Sequence, residues 1–201
     1  DGVQADPASW RRAWNWDPLI LLSLGLLAWL YGRGLARLYA KAGAGRKVRL
    51  WQAASYVGAL GVIFIALISP VDALSEELSS LHMVQHMLLM AAAPLFVLGS
   101  PTLVLAWGLQ EWRKGWGSSS FTFAFRLPQE PVLSQPLLVW ALFAVMLWAW
   151  HHPVLYLAAL RDPLLHDAQH LSFFVVACLF WRVCLDPLGA RRLCPAAAIP
   201  Y

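Results

Sequence analysis

Five stretches of this chain are apolar on every face: residues 18–38, 50–69, 78–98, 136–151 and 163–185. A helix needs about 20 such residues to cross a hydrocarbon core ~30 Å thick. A helix that is apolar all round has no face to offer water. The strands of a membrane barrel would instead alternate apolar with polar residues. The pattern therefore predicts an all-α fold, a polytopic transmembrane helix bundle of about five spans, the fourth being the shortest. Composition agrees: 60% of the residues are hydrophobic and 13% charged, where a soluble domain has about 45–50% and about 25%. The lipid bilayer is thus the first partner, and no nucleic-acid partner is expected.

The breaks between spans carry their own signals. Residues 1–17 form a polar lead with Trp10, Trp14 and Trp16, a residue type that favours the membrane interface. This lead has no apolar core of the kind a cleavable signal peptide needs. Asp17-Pro18 is a helix start, and Pro70 stops the second span. The third span contains Pro94, which removes a backbone hydrogen bond and is expected to kink it. Residues 102–112 are apolar but too short to cross. The domain reading is an outer interfacial lead (1–17), a single transmembrane domain (18–186) and a cytoplasmic tail (187–201). Cys178, Cys184 and Cys194 match no zinc spacing and read as packing residues.

Basic residues set the orientation. Grouping the loop after the first span, the 113–135 loop and the tail on one side gathers twelve of the fifteen Lys and Arg against three acids. The opposite side holds three basic residues against eight acids. This predicts an outer N-terminus and an inner C-terminus.

On that topology all six histidines lie on the outer side. His82 and His86 begin one inward span, His166 and His170 begin another, and His151 and His152 end an outward one. Two of these sites share the pattern His-x-x-Gln-His, with Gln85 and Gln169 inside it. Residues i and i+4 on a helix share a face about 5–6 Å apart, so each pair can offer two imidazoles to one ion. Pro70-Val71 precedes His82 by 12 residues and Pro153-Val154 precedes His166 by 13. The chain therefore reads as an internal two-helix repeat: an outward span, a Pro-Val turn, an outer loop, and an inward span carrying the histidines.

Metal-liganding residues inside a span are costly and are functional candidates for that reason. Imidazole suits copper, zinc, iron and nickel, and thioether favours Cu(I). Met83, Met87 and Met90 share the third span with the first histidine pair, which tilts the choice toward copper. The expected metal ligands are His82, His86, His166 and His170, with His151 or His152 assisting. Met83 and Met87 are further donors, and Gln85, Gln169 and Asp72 are supporting partners. Asp72, Glu76, Glu77, Asp162 and Asp167 would make the outer mouth acidic and concentrate cations. Haem is the competing cofactor, needing one axial histidine from each of two helices. The same residues would also be compatible with a copper transporter or with a purely structural scaffold. Transport would need a polar path, yet the inner halves of the spans show little polarity beyond Gln52 and Ser55. No nucleophile or acid/base pair stands out, so a non-enzymatic role is expected.

One resemblance rests on these same residues. Ser69-Pro70-Val71-Asp72-Ala73-Leu74, His82-Met83-Val84-Gln85-His86-Met87-Leu88-Leu89-Met90, Ala93-Pro94 and Gly99-Ser100-Pro101 carry it. So do Trp16-Asp17-Pro18-Leu19, Trp150-His151-His152-Pro153, Leu164-Leu165-His166 and Gln169-His170-Leu171-Ser172-Phe173. Together these residues resemble the CtaG-type cytochrome c oxidase assembly factors of bacteria, over nearly the whole chain. The resemblance implies a multi-pass protein of the bacterial plasma membrane that helps make active haem–copper oxidase through copper supply. Its partners would be cytochrome c oxidase subunits or other copper-handling proteins. It also implies that a further span would begin near residues 196–201, which reads this chain as shorter than its relatives.

Overall fold

The computed structural model describes residues 14–99, 104–105, 109 and 135–185. The lead before Trp14, most of the 102–112 segment, nearly all of the 113–135 loop, the tail and Cys194 lie outside them. The described residues form seven helices and no strand. These are α1 (Pro18–Ala42), α2 (Leu50–Ile68), α3 (Pro70–Glu77), α4 (Ser79–Leu98), α5 (Pro136–His151), α6 (Pro153–Ala159) and α7 (Pro163–Leu185). The fold is an all-helical transmembrane bundle. Helices α1, α2, α4 and α7 are each long and apolar enough to cross a membrane. Helix α5 has 16 residues, a length of about 24 Å, and α6 continues it across a 72° bend.

Two connections predicted as loops are short helices. Each starts with Pro at its first turn, where the missing N–H is no loss. The Oγ of Ser69 accepts from Val71 N (3.2 Å) to cap α3, and His152 Nδ1 accepts from Val154 N (3.4 Å) to cap α6. From α2 onward the element order is long helix, short helix, long helix, twice over.

Helix α4 is central and packs most extensively on α2 and α7. Its seam with α2 includes small residues, with Ala66 packed in one cluster with Ala92, and Ala59 and Ala93 are buried as well. Without water to squeeze out, membrane helices gain by close backbone approach, which small side chains permit. Ile63, Ala66, Leu89 and Ala92 form the middle of the core. At one end Tyr31 of α1 stacks on Tyr56 of α2 (centroids 3.7 Å, 6° between planes). Tyr56 meets Phe96 of α4 (5.1 Å), and Phe96 meets Phe174 of α7 (5.3 Å). This aromatic run joins four helices. Helix α4 continues as one helix through Pro94 and ends at Gly99.

The outer surface is apolar, as lipid contact requires. Leu19, Leu22, Leu26, Val57, Leu137, Val145 and Leu171 are among the exposed residues. Trp16 and Trp148 stand exposed toward one end, Trp51 and Trp140 toward the other.

Candidate functional site

The histidines sit at the end opposite the Tyr31–Tyr56 stack, where α4 and α7 face each other. His82 and His166 lie 5.2 Å apart between ring centroids, and His86 and His170 lie 5.1 Å apart. Along each helix the pairs are separated by 4.3 Å (His82 to His86) and 4.2 Å (His166 to His170). First pairs with first and second with second, so α4 and α7 run parallel. That is possible only because α5 carries the chain back between them. The four rings stand as two tiers on two helices.

Three of the four rings are buried and one is half-buried. His82, His86 and His170 are 2%, 3% and 6% exposed, while His166 is half-buried. A cleft of about 320 Å³ opens on the first tier, lined by Ser75, His82, Ala159, Leu160, Arg161, Pro163 and His166. Phe173 lies under the second tier, 4.8 Å from His86. Tyr156 of α6 stands edge-on to His82 at 6.2 Å.

The ring nitrogens are short of partners. His82 Nε2, both nitrogens of His86 and His170 Nε2 are buried with no hydrogen bond. Such groups are rare in folded proteins and each costs about 1–3 kcal/mol. Two imidazoles on one tetrahedral ion at ~2 Å would put their centroids roughly 5 Å apart, close to the spacing across each tier. As the side chains stand, however, no group of three or more His, Cys, Asp or Glu among the described residues is arranged to hold a metal ion.

The remaining expected site residues are placed as follows. His151 and His152 are exposed. His151 Nδ1 bonds back to Leu147 O at 2.6 Å, its ring lies 6.2 Å from Phe173, and His152 caps α6. Met83 is half-buried, and Met87 is 66% exposed on the bundle surface. Gln85 is fully buried; its Nε2 donates to Ala66 O (2.9 Å) and to Asp72 Oδ1 (2.7 Å). Asp72 Oδ2 accepts from Asn15 Nδ2 (2.7 Å). The amide oxygens of Gln85 and Gln169 are buried and unpartnered.

Of the five acids expected around the mouth, Asp72 and Asp162 have hydrogen-bond partners and Asp167 is exposed. Both oxygens of Asp72 are engaged by Gln85 and Asn15. Asp162 spends Oδ1 on the start of α7, accepting from Leu164 N at 2.9 Å. The cleft lining instead includes Arg161 and no acid. Reading along the chain placed acids by side of the membrane; it could not see that Asp72 holds a buried amide and that Asp162 caps a helix start. Sequence reasoning also passed over Asn15, whose backbone N donates to Ile68 O (3.0 Å) and whose side chain reaches Asp72 from 57 residues away. Phe173 carried a signal, since it follows His170 at the i+3 spacing that shares a helix face.

No curated protein and no solved structure matches the chain. The family model for the cytochrome c oxidase caa3 assembly factor (Caa3_CtaG) matches residues 29–200. This range covers every helix from within α1 onward, with both His-x-x-Gln-His segments. The chain belongs to the caa3-type cytochrome c oxidase assembly factor family.

Proposed function

We propose that this assembly factor holds copper between α4 and α7, on His82, His86, His166 and His170, and passes it to an oxidase subunit. Copper here is cargo, held for exchange. The observation that carries the reading is the set of buried, unpartnered ring nitrogens on His82, His86 and His170. Four imidazoles drawn from two parallel helices stand with neighbouring ring centroids 4.2–5.2 Å apart, beside a cleft lined by two of them. A ligand that accepts nitrogen lone pairs offsets the cost of burying them. Imidazole suits several first-row metals; the family's role in building a haem–copper enzyme favours copper among them.

Haem fits less well. A porphyrin held between His82 and His166 would have to occupy the space where His86 and His170 stand, 4.2–4.3 Å along the same helices. The macrocycle is wider than that gap. Passage of copper across the membrane also fits less well: Gln52 Oε1 accepts from Arg49 N at the start of α2, and Ser55 Oγ donates to Trp51 O. The few polar groups at that end are therefore spent locally.

The test is copper content and the absorption spectrum of purified protein loaded with Cu(I), compared with the His82→Ala/His170→Ala variant. Stoichiometric copper that is lost in the variant, with no Soret band, supports the reading. Equal copper in both proteins, or none in either, overturns it, and a Soret band in the purified protein would restore haem.

A further inference from the structure

We infer that the four histidines act in series, with His82–His166 as an exchange tier at the mouth and His86–His170 as a blind storage tier beneath it. The inference rests on the copper reading above and deepens it. Three observations carry it.

The first is access. The cleft is lined by His82 and His166 and by neither ring of the second tier. His166 is half-buried while the other three rings are buried, so the open side of the mouth tier is on α7. An ion arriving from the end of the bundle meets the first tier before the second.

The second is closure. Phe173 packs against His86. One turn beyond, Leu89 is buried with Ile63, Ala66 and Ala92, and Phe174 packs on that group. Past these come Phe96 and the Tyr56 ring. Apart from the Tyr56 hydroxyl, which is turned to Leu27 O, the side chains named here are apolar and offer an ion no ligand, so an ion in the second tier leaves by the way it came.

The third is the distribution of unpartnered atoms. Of the four buried, unpartnered ring nitrogens, three belong to the deeper tier (both of His86 and Nε2 of His170) and one, His82 Nε2, to the mouth tier. The stronger unmet demand for a ligand lies in the deeper tier. Each tier offers two imidazoles. A d¹⁰ ion satisfied by two or three ligands, such as Cu(I), can rest in one tier at a time and step to the other through a shared intermediate. Zinc, which takes four ligands, would have to span both tiers at once and would not step. The arrangement therefore favours Cu(I) through mobility as well as through affinity.

The experiment compares His82→Asn/His166→Asn, His86→Asn/His170→Asn and Leu160→Trp with the wild type in detergent. Each is loaded with Cu(I), its copper per chain is measured, and Cu(I) release to a colorimetric chelator is timed. Circular dichroism checks that each variant keeps its helix content. The deep-tier variant is expected to release copper roughly tenfold or more faster than wild type. The mouth-tier variant is expected to keep a slowly exchanging ion, with both loading and release slowed. Leu160 lines the cleft and is 51% exposed. Its replacement by Trp leaves all four histidines intact, and is expected to slow loading and release together without changing copper per chain. This variant keeps the test decisive if a histidine pair proves necessary for folding.

If wild type binds copper but the two histidine variants lose it alike, the site is a single four-ligand centre and the serial arrangement is wrong. Unchanged rates in Leu160→Trp would show that the cleft is not the route, and would overturn the inference as well. A wild type that binds no Cu(I) removes the copper reading and this inference together.

Discussion

Asp72 shows how one side chain can decide the shape of a site it does not line. Its two oxygens hold Gln85 of the histidine helix and Asn15 of the N-terminal lead. Asp17 N in turn donates to Asn15 Oδ1 (3.2 Å), and Asp17 Oδ1 caps α1 through Leu19 N (2.7 Å). Three segments are therefore tied at one carboxylate. Gln85 lies between His82 and His86, so fixing its amide fixes the roll of α4 and the direction in which both imidazoles leave it. Asp72→Ala leaves the buried Nε2 of Gln85 with one acceptor where it had two. The expected cost is about 1–3 kcal/mol, seen as a lowered midpoint of thermal unfolding in detergent. Release of Cu(I) should quicken in the same variant. Asn15→Ala removes a half-buried partner and should cost less. The histidines themselves were legible along the chain, because His-x-x-Gln-His repeats with the spacing of one helical turn. Asp72 and Gln85 were each legible as supporting residues, but not the bond between them, because a linear reading does not say which side chains meet across 13 residues.

At the scale of elements, glycine separates helices that pack from helices that face lipid. Gly99 ends α4 and is buried. A Cβ placed there would lie 2.6 Å from Tyr56 Cβ and 3.2 Å from Tyr56 Cα. Its carbonyl also accepts from the Tyr31 hydroxyl at 2.8 Å. Gly99 is thus the point where α1, α2 and α4 close on one another. Gly99→Ala should destabilise the protein by about 1–3 kcal/mol through overpacking. Gly25 and Gly32 of α1 have nothing within 4 Å of the same added atom. There Ala should be neutral or up to about 1 kcal/mol stabilising, since glycine is the poorer helix former. Unfolding midpoints of the three variants, side by side, check the contrast. The long helices could be read from hydropathy. The short ones, α3 and α6, are where a linear reading fell short, although Ser69-Pro70 and His152-Pro153 carry the cap and first-turn signals that start them. Seven or eight residues are too few for hydrophobic periodicity to register, and these helices are held by their caps and by packing on α4 and α7.

For the whole molecule, the distribution of charge predicts which compartment the site faces. The histidine end gathers the start of α1, both short helices and the starts of α4 and α7, with Asp17, Asp72, Asp162 and Asp167. The other end carries the turn between α1 and α2, where Gly43 and Gly45 take φ of 84° and 75° and Lys41, Arg46, Lys47 and Arg49 cluster. Lys and Arg near span ends are retained on the cytoplasmic side. The charge asymmetry therefore predicts that the histidine mouth faces outward, where it would meet copper and any oxidase domain exposed on that face. Leu160 lies at the mouth, and Lys47 lies exposed at the opposite end. In a chain with Cys178, Cys184 and Cys194 replaced by Ala, Leu160→Cys and Lys47→Cys can each be treated with a membrane-impermeant thiol reagent. Leu160→Cys should label in intact cells, and Lys47→Cys only after the membrane is opened. The reverse result would turn the bundle over and put the mouth in the cytoplasm. Copper would then have to reach the histidines from inside the cell, and the partner that receives it would have to be a cytoplasmic face of the oxidase.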